Sequence, residues 1–390
     1  MLNFDDQINR INSSSLKWDN TKKRFGHDNL LPMWIADMDF KAPEPVLHAI
    51  QDRISHGIFG YTDVSTEAVD AILQWYETRH ETTLQREWLT YSPSVVASLA
   101  IAVNAYSEPG DSCLIQTPVY PPFFDVVKNN DRELITNPLK LENDRYGIDF
   151  EDLEVKLAQK PKLMILCSPH NPVARVWSQE ELLRILDLCL TYDVLLISDE
   201  IHADLVFSPN KHTMALQLDE RYHDHIICCL SPSKTFNLAG LQASVVAIPN
   251  KRHRAAFNKY YSRFGLSQLN TLGMTAMATA YGQGADWLDE LLTYLAENVR
   301  IVEQFIEEEL PNVKLIKPEA TYLLWLDFSS LELSDDELNQ LLLSKGGIAM
   351  NAGTSFGSEG SGFMRLNIAC PSAVVREGME RIKKAVTSLA

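Results

Sequence analysis

The chain has 390 residues, and 45% of them are hydrophobic, which is enough for a large core and allows two or three domains. Its 52 acidic and 35 basic residues leave a formal charge of −17. So acidic a chain, with no run of basic residues, excludes extensive binding to a nucleic-acid backbone and predicts a well-solvated surface. No apolar run approaches membrane-spanning length, so we also expect no membrane span.

The cysteines predict neither disulfides nor a metal site. Most of them lie within apolar runs, and none forms the Cys-x-x-Cys pair typical of metal ligands. Buried thiols in a reducing compartment are the simplest explanation. The first residues lack the basic and apolar regions of a signal peptide, so we expect a cytoplasmic protein. The six cysteines are Cys113, Cys167, Cys189, Cys228, Cys229 and Cys370.

In the middle of the chain, short apolar runs alternate with helical patterns. Residues 178–192, for example, carry apolar side chains at helical spacing. Strands that alternate with helices predict an α/β fold, with a mostly parallel sheet covered by helices on both faces. The predicted strands cover residues 113–117, 163–168, 194–198, 226–231 and 244–249.

The last third of the chain changes character. Residues 286–310 predict a long amphipathic helix that Pro311 ends, and residues 322–328 and 363–369 are strand-like. We therefore predict a smaller α+β domain there. The predicted division is an N-terminal segment at 1–45 that packs with the small domain, a large domain at 46–285 and the small domain at 286–390.

Lys234 follows the predicted strand at 226–231, at the edge where parallel sheets bind ligands. Desolvation in such a crevice favours the neutral amine, which attacks carbonyls and forms Schiff bases. Ser231 and Ser233 beside it are suited to hold an anion. Together these residues suggest pyridoxal 5′-phosphate (PLP), which needs a lysine for its aldehyde and donors for its phosphate. A surface lysine that snorkels from a strand end is the alternative.

Polar groups that follow the neighbouring strands extend this hypothesis. Asp199 follows the strand at 194–198, and a buried carboxylate there needs a partner such as a protonated pyridine nitrogen; a helix N-cap is the alternative. Asn171 is placed to donate to a ring hydroxyl, although Asn171-Pro172 is also a common turn. Tyr120 is suited either to stack on a ring or to pack in its proline-rich loop.

The start of a predicted helix at Ser94 is suited to bind a phosphate. The free N–H groups at such a start and the helix dipole attract anions. A plain N-cap serine explains the same residues.

Arg365 lies in a run with period-two alternation, in which Met364 and Leu366 face one way and Arg365 and Asn367 face the other. Arg365 is then presented to a cleft, where its guanidinium can bind a carboxylate in a bidentate pair. A structural ion pair is the alternative. We expect the loop at 355–362 to be either a flexible lid or a connector.

Several of these residues lie in longer motifs that resemble a known family. Ser-Pro-Ser-Lys-Thr-Phe-Asn-Leu-Ala-Gly at 231–240 resembles the PLP-lysine motif of class I/II aminotransferase-like, fold-type I enzymes. Within these enzymes, Trp-Ile-Ala-Asp-Met-Asp-Phe at 34–40, Asp-Glu-Ile-His-Ala-Asp-Leu at 199–205 and Gly-Phe-Met-Arg-Leu-Asn-Ile-Ala-Cys-Pro at 362–371 resemble the MalY/PatB-type cystathionine β-lyase branch. The resemblance covers nearly the whole chain, with the motifs in the expected order.

The resemblance implies the PLP-dependent transferase fold of type I, with a large domain built on a mostly parallel, seven-stranded-type sheet. It makes Lys234 the Schiff-base lysine, Asp199 the partner of the pyridine nitrogen and Arg365 the residue that binds the substrate α-carboxylate. Tyr61 resembles a tyrosine that reaches the phosphate from the neighbouring subunit, which implies a homodimer. The other implied residues are Tyr120, stacked on the ring as part of the catalytic set, Asn171 at the ring hydroxyl, His202 near the ring, Val95 and Val96 as backbone donors to the phosphate, Ser231 and Ser233 as hydroxyl donors, and Ala36 with Asn171 and Tyr61 at the substrate.

The chain departs from the family pattern at two positions. It has Ser94 and Ala174 where the family usually has glycine. If the backbone at either position needs a positive φ, the side chain costs stability. The lysine, aspartate and arginine are present, so the expected chemistry is not affected.

The resemblance implies a PLP-dependent carbon–sulfur β-lyase that cleaves L-cystathionine, and other cysteine S-conjugates, to a thiol, pyruvate and ammonia. An aminotransferase would use the same lysine, aspartate and arginine, and residue spacing does not separate the two. A requirement for a 2-oxo acid would distinguish them. A regulatory role through a protein partner is a third hypothesis, from a different class of function.

Overall fold

The computed structural model describes residues 3–266 and 269–389, and parts of all three predicted segments lie outside these ranges. The strands are β1 (Leu31–Pro32), β2 (Leu89–Ser92), β3 (Ser112–Thr117), β4 (Glu133–Pro138), β5 (Lys140–Glu142), β6 (Arg145–Gly147), β7 (Leu163–Cys167), β8 (Leu195–Asp199), β9 (Ile226–Leu230), β10 (Ser244–Ala247), β11 (Lys314–Ile316), β12 (Leu323–Asp327), β13 (Ile348–Ala349), β14 (Asn351–Ala352) and β15 (Phe363–Asn367). The α-helices are α1 (Leu16–Asp19), α2 (Thr21–Phe25), α3 (Glu44–His56), α4 (Thr66–His80), α5 (Val95–Tyr106), α6 (Pro122–Lys128), α7 (Phe150–Leu157), α8 (Gln179–Tyr192), α9 (Lys251–Arg263), α10 (Thr271–Gln283), α11 (Ala285–Glu309), α12 (Asp335–Leu341) and α13 (Ser372–Thr387).

The large sheet has seven strands in the order β2-β10-β9-β8-β7-β3-β4. Its strands from β9 to β4 run parallel, whereas β10 is antiparallel to both of its neighbours. Ile165 of β7 packs into one hydrophobic core, and Met164 and Leu166 pack into another. Burial on both faces explains the continuous apolar runs in the sequence, and the predicted α/β fold is confirmed.

The predicted strands of this sheet agree with the structure to within one or two residues at each end. The helix predicted at 178–192 is α8, and Ser178 caps it in a reciprocal pair with Glu181. The sequence does not predict β2 and β4, the two edge strands. Both are partly exposed, so they carry a weaker apolar signal than the fully buried central strands.

A second, antiparallel sheet has the order β11-β12-β15-β14, and helices α11 and α13 pack against each other beside it. Strand β1 of the N-terminal segment pairs in parallel with β13, with Leu31 opposite Ile348. This pairing is compatible with an N-terminal segment that packs with a small domain. The predicted boundaries at 45/46 and 285/286 remain predictions.

The two positions where the family usually has glycine differ in their backbone conformation. Ala174 has φ +55°, in the left-handed region that disfavours a side chain. Its carbonyl accepts hydrogen bonds from the backbone N–H groups of Glu319 (2.9 Å) and Ala320 (3.1 Å), which hold the strained turn in place. Ser94 has φ −162°, an extended conformation without strain, and its hydroxyl caps α5 by accepting from the N–H of Ala97 at 3.2 Å. Only Ala174 therefore pays the expected cost.

All six cysteines are buried, as their apolar surroundings in the sequence predict, and none of them forms a disulfide. Among the residues that the structure describes, no helix combines the length and the apolar character needed to cross a bilayer.

Candidate active site

A cavity opens beyond the carboxyl ends of β7, β8 and β9, at the edge of the sheet where the sequence places its candidate residues. The N-terminal segment and the start of α5 complete its wall. The predicted residues that line it are Ala36, Val95, Val96, Tyr120, Asn171, Asp199, His202, Ser231, Ser233 and Lys234.

Lys234 lies in the turn after β9, and its side-chain nitrogen Nζ donates a hydrogen bond to the Ala36 carbonyl at 2.5 Å. Burial, assisted by the nearby positive charge of Arg365, lowers the pKa of Lys234 to about 8, while Asp37 and Asp199 oppose the shift. An amine with such a pKa is available without its proton at neutral to mildly alkaline pH. This property is the one that carbonyl attack and proton abstraction require.

Asp199, the last residue of β8, is almost completely buried. Burial raises the pKa of its carboxyl to about 7, although the N–H of Ile201 donates to Oδ1 at 3.2 Å and partly offsets the rise. That N–H is the only hydrogen-bond partner of the carboxyl within the described parts of the chain. A buried carboxylate with so little compensation is suited to pair with a cationic ring nitrogen. No helix starts here, so the N-cap alternative is wrong.

Two aromatic rings line the cavity near this carboxylate. Burial lowers the pKa of the His202 imidazole to about 3, and the positive charges of Lys234 and Arg365 add to the shift, so the ring is neutral. Among the described residues, no group bonds to its Nδ1. Tyr120 is half-buried, and burial raises the pKa of its phenol. Both rings thus present uncharged surfaces to a ligand.

Arg365 on β15 and Asn171 after β7 are joined directly. Arg365 Nη1 donates to Asn171 Oδ1 at 3.0 Å, which orients the amide and leaves its Nδ2 for a ligand. Arg365 Nη2 donates to the Trp34 carbonyl at 2.9 Å and to Asn351 Oδ1 at 2.8 Å. Its guanidinium lies 4.8 Å from the ring centre of Phe356. The side chain is therefore held in one orientation by four neighbours.

Burial lowers the pKa of Arg365 to about 10, and its buried Nε has no partner among the described residues. Within the described chain, the hydrogen bonds of Arg365 go to two asparagine side chains and a backbone carbonyl, so the structural ion pair considered for it is absent there. An unpaired buried cation with a free donor is suited to bind an anionic ligand.

The loop at 355–362 is a packed connector. Phe356 is buried, and its carbonyl accepts from the N–H of Val119 at 2.8 Å. A side-chain carbon on Gly353 would lie 2.0 Å from the carbonyl oxygen of Gly360, so the two glycines allow the loop to fold tightly. Through the ring of Phe356, this loop contacts the guanidinium of Arg365 and supports it.

The start of α5, where the sequence predicts a phosphate-binding site, lies on the cavity wall. The backbone N–H groups of Val95 and Val96 belong to the first turn, where no helical carbonyl is available to accept them. Ser231 and Ser233 line the same cavity as this helix start. The Ser231 hydroxyl donates to the Ala243 carbonyl at 2.9 Å, so it must rotate before it can donate to a ligand.

Residues 34–40 form an irregular segment whose carbonyls are bonded by side chains. Asn367 Nδ2 donates to the carbonyls of Ile35 (2.5 Å) and Asp37 (2.7 Å). Ala36 accepts from Lys234 and also from the Tyr322 hydroxyl at 3.1 Å. These contacts, with that of Arg365 to Trp34, fix the segment at the cavity.

Arg365 does not line the cavity itself but is bonded to Asn171, which does, whereas Tyr61 lies away from the cavity of its own chain. The side chain of Tyr61 is 95% exposed, and the neighbouring Ile58 and Phe59 are exposed as well. The structure therefore assigns Tyr61 no contact with Lys234 or the other site residues of its own chain.

The sequence analysis does not predict some residues of the site. Their signals are weak, because a single hydroxyl in the apolar run at 322–328, or an asparagine in a two-residue strand, does not predict a tertiary contact. They are Tyr322, Asn351 and Phe356, which contact Ala36 or Arg365, and Cys167 and Gln242, which line the cavity.

Comparison with known proteins identifies the family. The model of the family described as Aminotransferase class I and II matches residues 29–382. The chain belongs to this family. Cystathionine beta-lyase PatB of Bacillus subtilis (strain 168) is 47% identical across 99% of this chain and 100% of its own length. Protein MalY of Escherichia coli (strain K12) is 33% identical across 100% of both chains.

A solved structure extends this comparison. Cystalysin from Treponema denticola, which contains a pyridoxal 5′-phosphate cofactor, superposes with a TM-score of 0.96 at 36% identity, over 100% of each chain. Membership of the aminotransferase class I and II family, the type I fold and the resemblance to PatB and MalY are thereby confirmed.

The buried amine of Lys234 gives a prediction that needs no cofactor. In the cofactor-free protein, we expect acylation of Lys234 to rise with pH with a midpoint near its pKa of about 8. Pulsed labelling with an acylating reagent, read by peptide mass spectrometry over pH 6 to 11, measures the midpoint. Exposed Lys140 serves as the control, because its hydrogen bond to Asp149 raises its pKa above the usual value. A midpoint for Lys234 equal to that of Lys140 would contradict the described burial.

Proposed function

We propose that the protein is a PLP-dependent carbon–sulfur β-lyase. It cleaves L-cystathionine, and other cysteine S-conjugates, by α,β-elimination to a thiol, pyruvate and ammonia. The observation that carries the proposal is the convergence of Lys234 and Asp199 on one cavity, with the buried Arg365 bonded to Asn171 of its wall. The identity of 47% to a cystathionine beta-lyase over nearly the whole chain supports the lyase over the aminotransferase.

The residues of the cavity fit PLP. Asp199 is a buried carboxyl without a cationic partner, as expected for a group that binds a protonated pyridine nitrogen. Asn171 keeps Nδ2 for the ring hydroxyl, and Tyr120 offers a ring face for stacking. The start of α5, with Ser231 and Ser233, is suited to bind the phosphate. When bound, PLP supplies an electron-accepting ring beside the α-carbon of an amino acid.

Arg365 binds the substrate α-carboxylate. Its guanidinium lacks an acidic partner, and Asn171, Asn351 and Phe356 hold it in place before substrate arrives. Such preorganisation reduces the entropy lost on binding. Ala36, whose carbonyl contacts Lys234, brings the backbone of segment 34–40 to the same place. The α-carbon is thereby held near the amine.

Lys234 moves the proton. Its Nζ accepts the proton of the substrate α-carbon, for which a pKa near the working pH is favourable. The Cβ–S bond then breaks, and the electron pair leaves with sulfur as a thiolate. Hydrolysis of the remaining three-carbon fragment releases pyruvate and ammonia. Burial keeps the neighbouring His202 uncharged, so its ring does not compete with Lys234 for the proton.

The proposal includes the predicted division into residues 1–45, 46–285 and 286–390. In this division, segment 34–40 and Arg365 belong to parts of the chain other than the large domain that carries Lys234. The proposal also includes a homodimer. Ile58, Phe59 and Tyr61 form an exposed apolar loop, a feature typical of protein interfaces. Tyr61 would enter the site of the partner subunit from that loop.

A direct assay tests the proposed reaction. With L-cystathionine and no 2-oxo acid, we expect the PLP-loaded protein to release pyruvate and free thiol in equal amounts. Lys234→Ala is expected to lower both rates by roughly 10³-fold or more, because the base is lost. Amino transfer that depends on an added 2-oxo acid, without thiol release, would assign an aminotransferase instead.

A second prediction concerns Arg365→Lys. A lysine keeps the charge but not the planar fork, so one charge-assisted hydrogen bond to the carboxylate is lost. We expect kcat/KM to fall about 10- to 100-fold, mainly through KM. Visible absorbance of the bound PLP should be retained. Loss of PLP with unchanged KM would mean that Arg365 serves the cofactor.

The shared site predicts complementation between two defective variants. In a hybrid of Lys234→Ala and Tyr61→Ala chains, one site has an intact lysine and receives an intact tyrosine from its partner. Random mixing of subunits should restore about a quarter of wild-type activity. Lys234→Ala mixed with Arg365→Lys is the control, because both changes affect a chain's own site. No gain with Tyr61→Ala would contradict the shared site.

A further inference from the structure

The N-terminal arm, residues 10–18, brings two cations to the edge of the active site. Arg10 binds Asp37 in a bidentate pair, with Nη2 to Oδ2 at 2.6 Å and Nη1 to Oδ1 at 3.1 Å. Arg10 Nη1 also lies 2.6 Å from Asp39 Oδ1. Lys17, which is 1% exposed, donates to Asp39 Oδ2 at 2.7 Å and lies 3.6 Å from Asp37 Oδ1. The two cations and two carboxylates balance in charge.

Asp37 is the member of this cluster that is nearest to the chemistry. It follows Ala36, whose carbonyl accepts from Lys234 Nζ, and its own carbonyl is held by Asn367. Arg10 Nη1 donates in addition to the Met38 carbonyl at 3.1 Å. The arm therefore holds the segment at Met38 and Asp39, directly after Asp37, and at the same time pairs with the Asp37 carboxylate.

We propose that Arg10, assisted by Lys17, is a positioning residue for Lys234: it neutralises Asp37 and holds segment 34–40, so that the Lys234 amine is available without its proton. The inference rests on the proposed role of Lys234 as the cofactor-binding amine and general base. It assigns a function in the site to an arm of which no residue lines the cavity.

The sign of the effect follows from the charges around Lys234. A negative charge on Asp37 stabilises the ammonium form and so raises the pKa of Lys234. The guanidinium of Arg10 and the ammonium group of Lys17 pair with the Asp37 carboxylate and thereby reduce its field. The other groups that face Lys234 are Arg365 from β15, Asp199 from β8, His202 from the following turn and Tyr322 from the start of β12.

The experiment measures the protonation of Lys234 in cofactor-free protein by pulsed acylation and mass spectrometry. For Arg10→Gln, we expect the midpoint to rise by ~0.5–1 pH unit, because Asp37 is left partly uncompensated. Arg10→Lys keeps the charge and should stay close to the wild type. Arg79→Gln is the matched control, since Arg79 is similarly exposed (26% against 23%) and pairs with Asp289 at 2.7 Å.

A variant of opposite sign completes the test. Asp37→Asn removes the negative charge and should lower the midpoint, and the double variant with Arg10→Gln should lie near the wild type. An unchanged midpoint in Arg10→Gln, with altered thermal stability only, would overturn the proposal and leave Arg10 a structural residue. The acylation midpoint of Lys234 in the wild type distinguishes a failure of this inference from a failure of the proposed function. A wild-type midpoint equal to that of an exposed lysine would contradict the proposed function itself.

Discussion

The site depends on how one irregular segment, residues 34–40, satisfies its buried backbone carbonyls. A buried carbonyl without a donor costs roughly 1–3 kcal/mol, and this segment has left the short pairing between β1 and β13. Its donors include the side chains of Lys234, Asn237, Arg365 and Asn367. The same hydrogen bonds therefore satisfy the backbone and orient the amine and the guanidinium.

Burial acts on every ionisable group of the cavity in the same sense. It raises the pKa of Asp199 and lowers those of Lys234, His202 and Arg365, which in each case favours the uncharged form. Charges taken out of water are costly unless they gain partners. A ligand that carries a ring cation, a phosphate and a carboxylate supplies those partners. In the proposed function, these incompletely paired polar groups would therefore favour the binding of cofactor and substrate.

Local signals explain which parts of the fold are predictable. The central strands are buried on both faces, so their continuous apolar runs predict their positions to within one or two residues. Ser178 and Ser94 mark helix starts because an N-cap acts over only three residues. Edge strands such as β4 lack that signal. The strain at Ala174 is foreseen only as a possibility, because φ depends on the distant residues Glu319 and Ala320 that bind its carbonyl.

The sequence by itself determines the α/β class, the sheet edge that carries the ligand groups, and the candidates Lys234, Asp199 and Arg365, because strand periodicity and strand ends are local features. The tertiary structure alone decides that Arg365 lies against Asn171 and Phe356, that Tyr322 shares the Ala36 carbonyl with Lys234, and that Arg10 pairs with Asp37. These contacts join residues far apart in the chain. Periodicity reports which way a side chain points, but only packing decides what it meets.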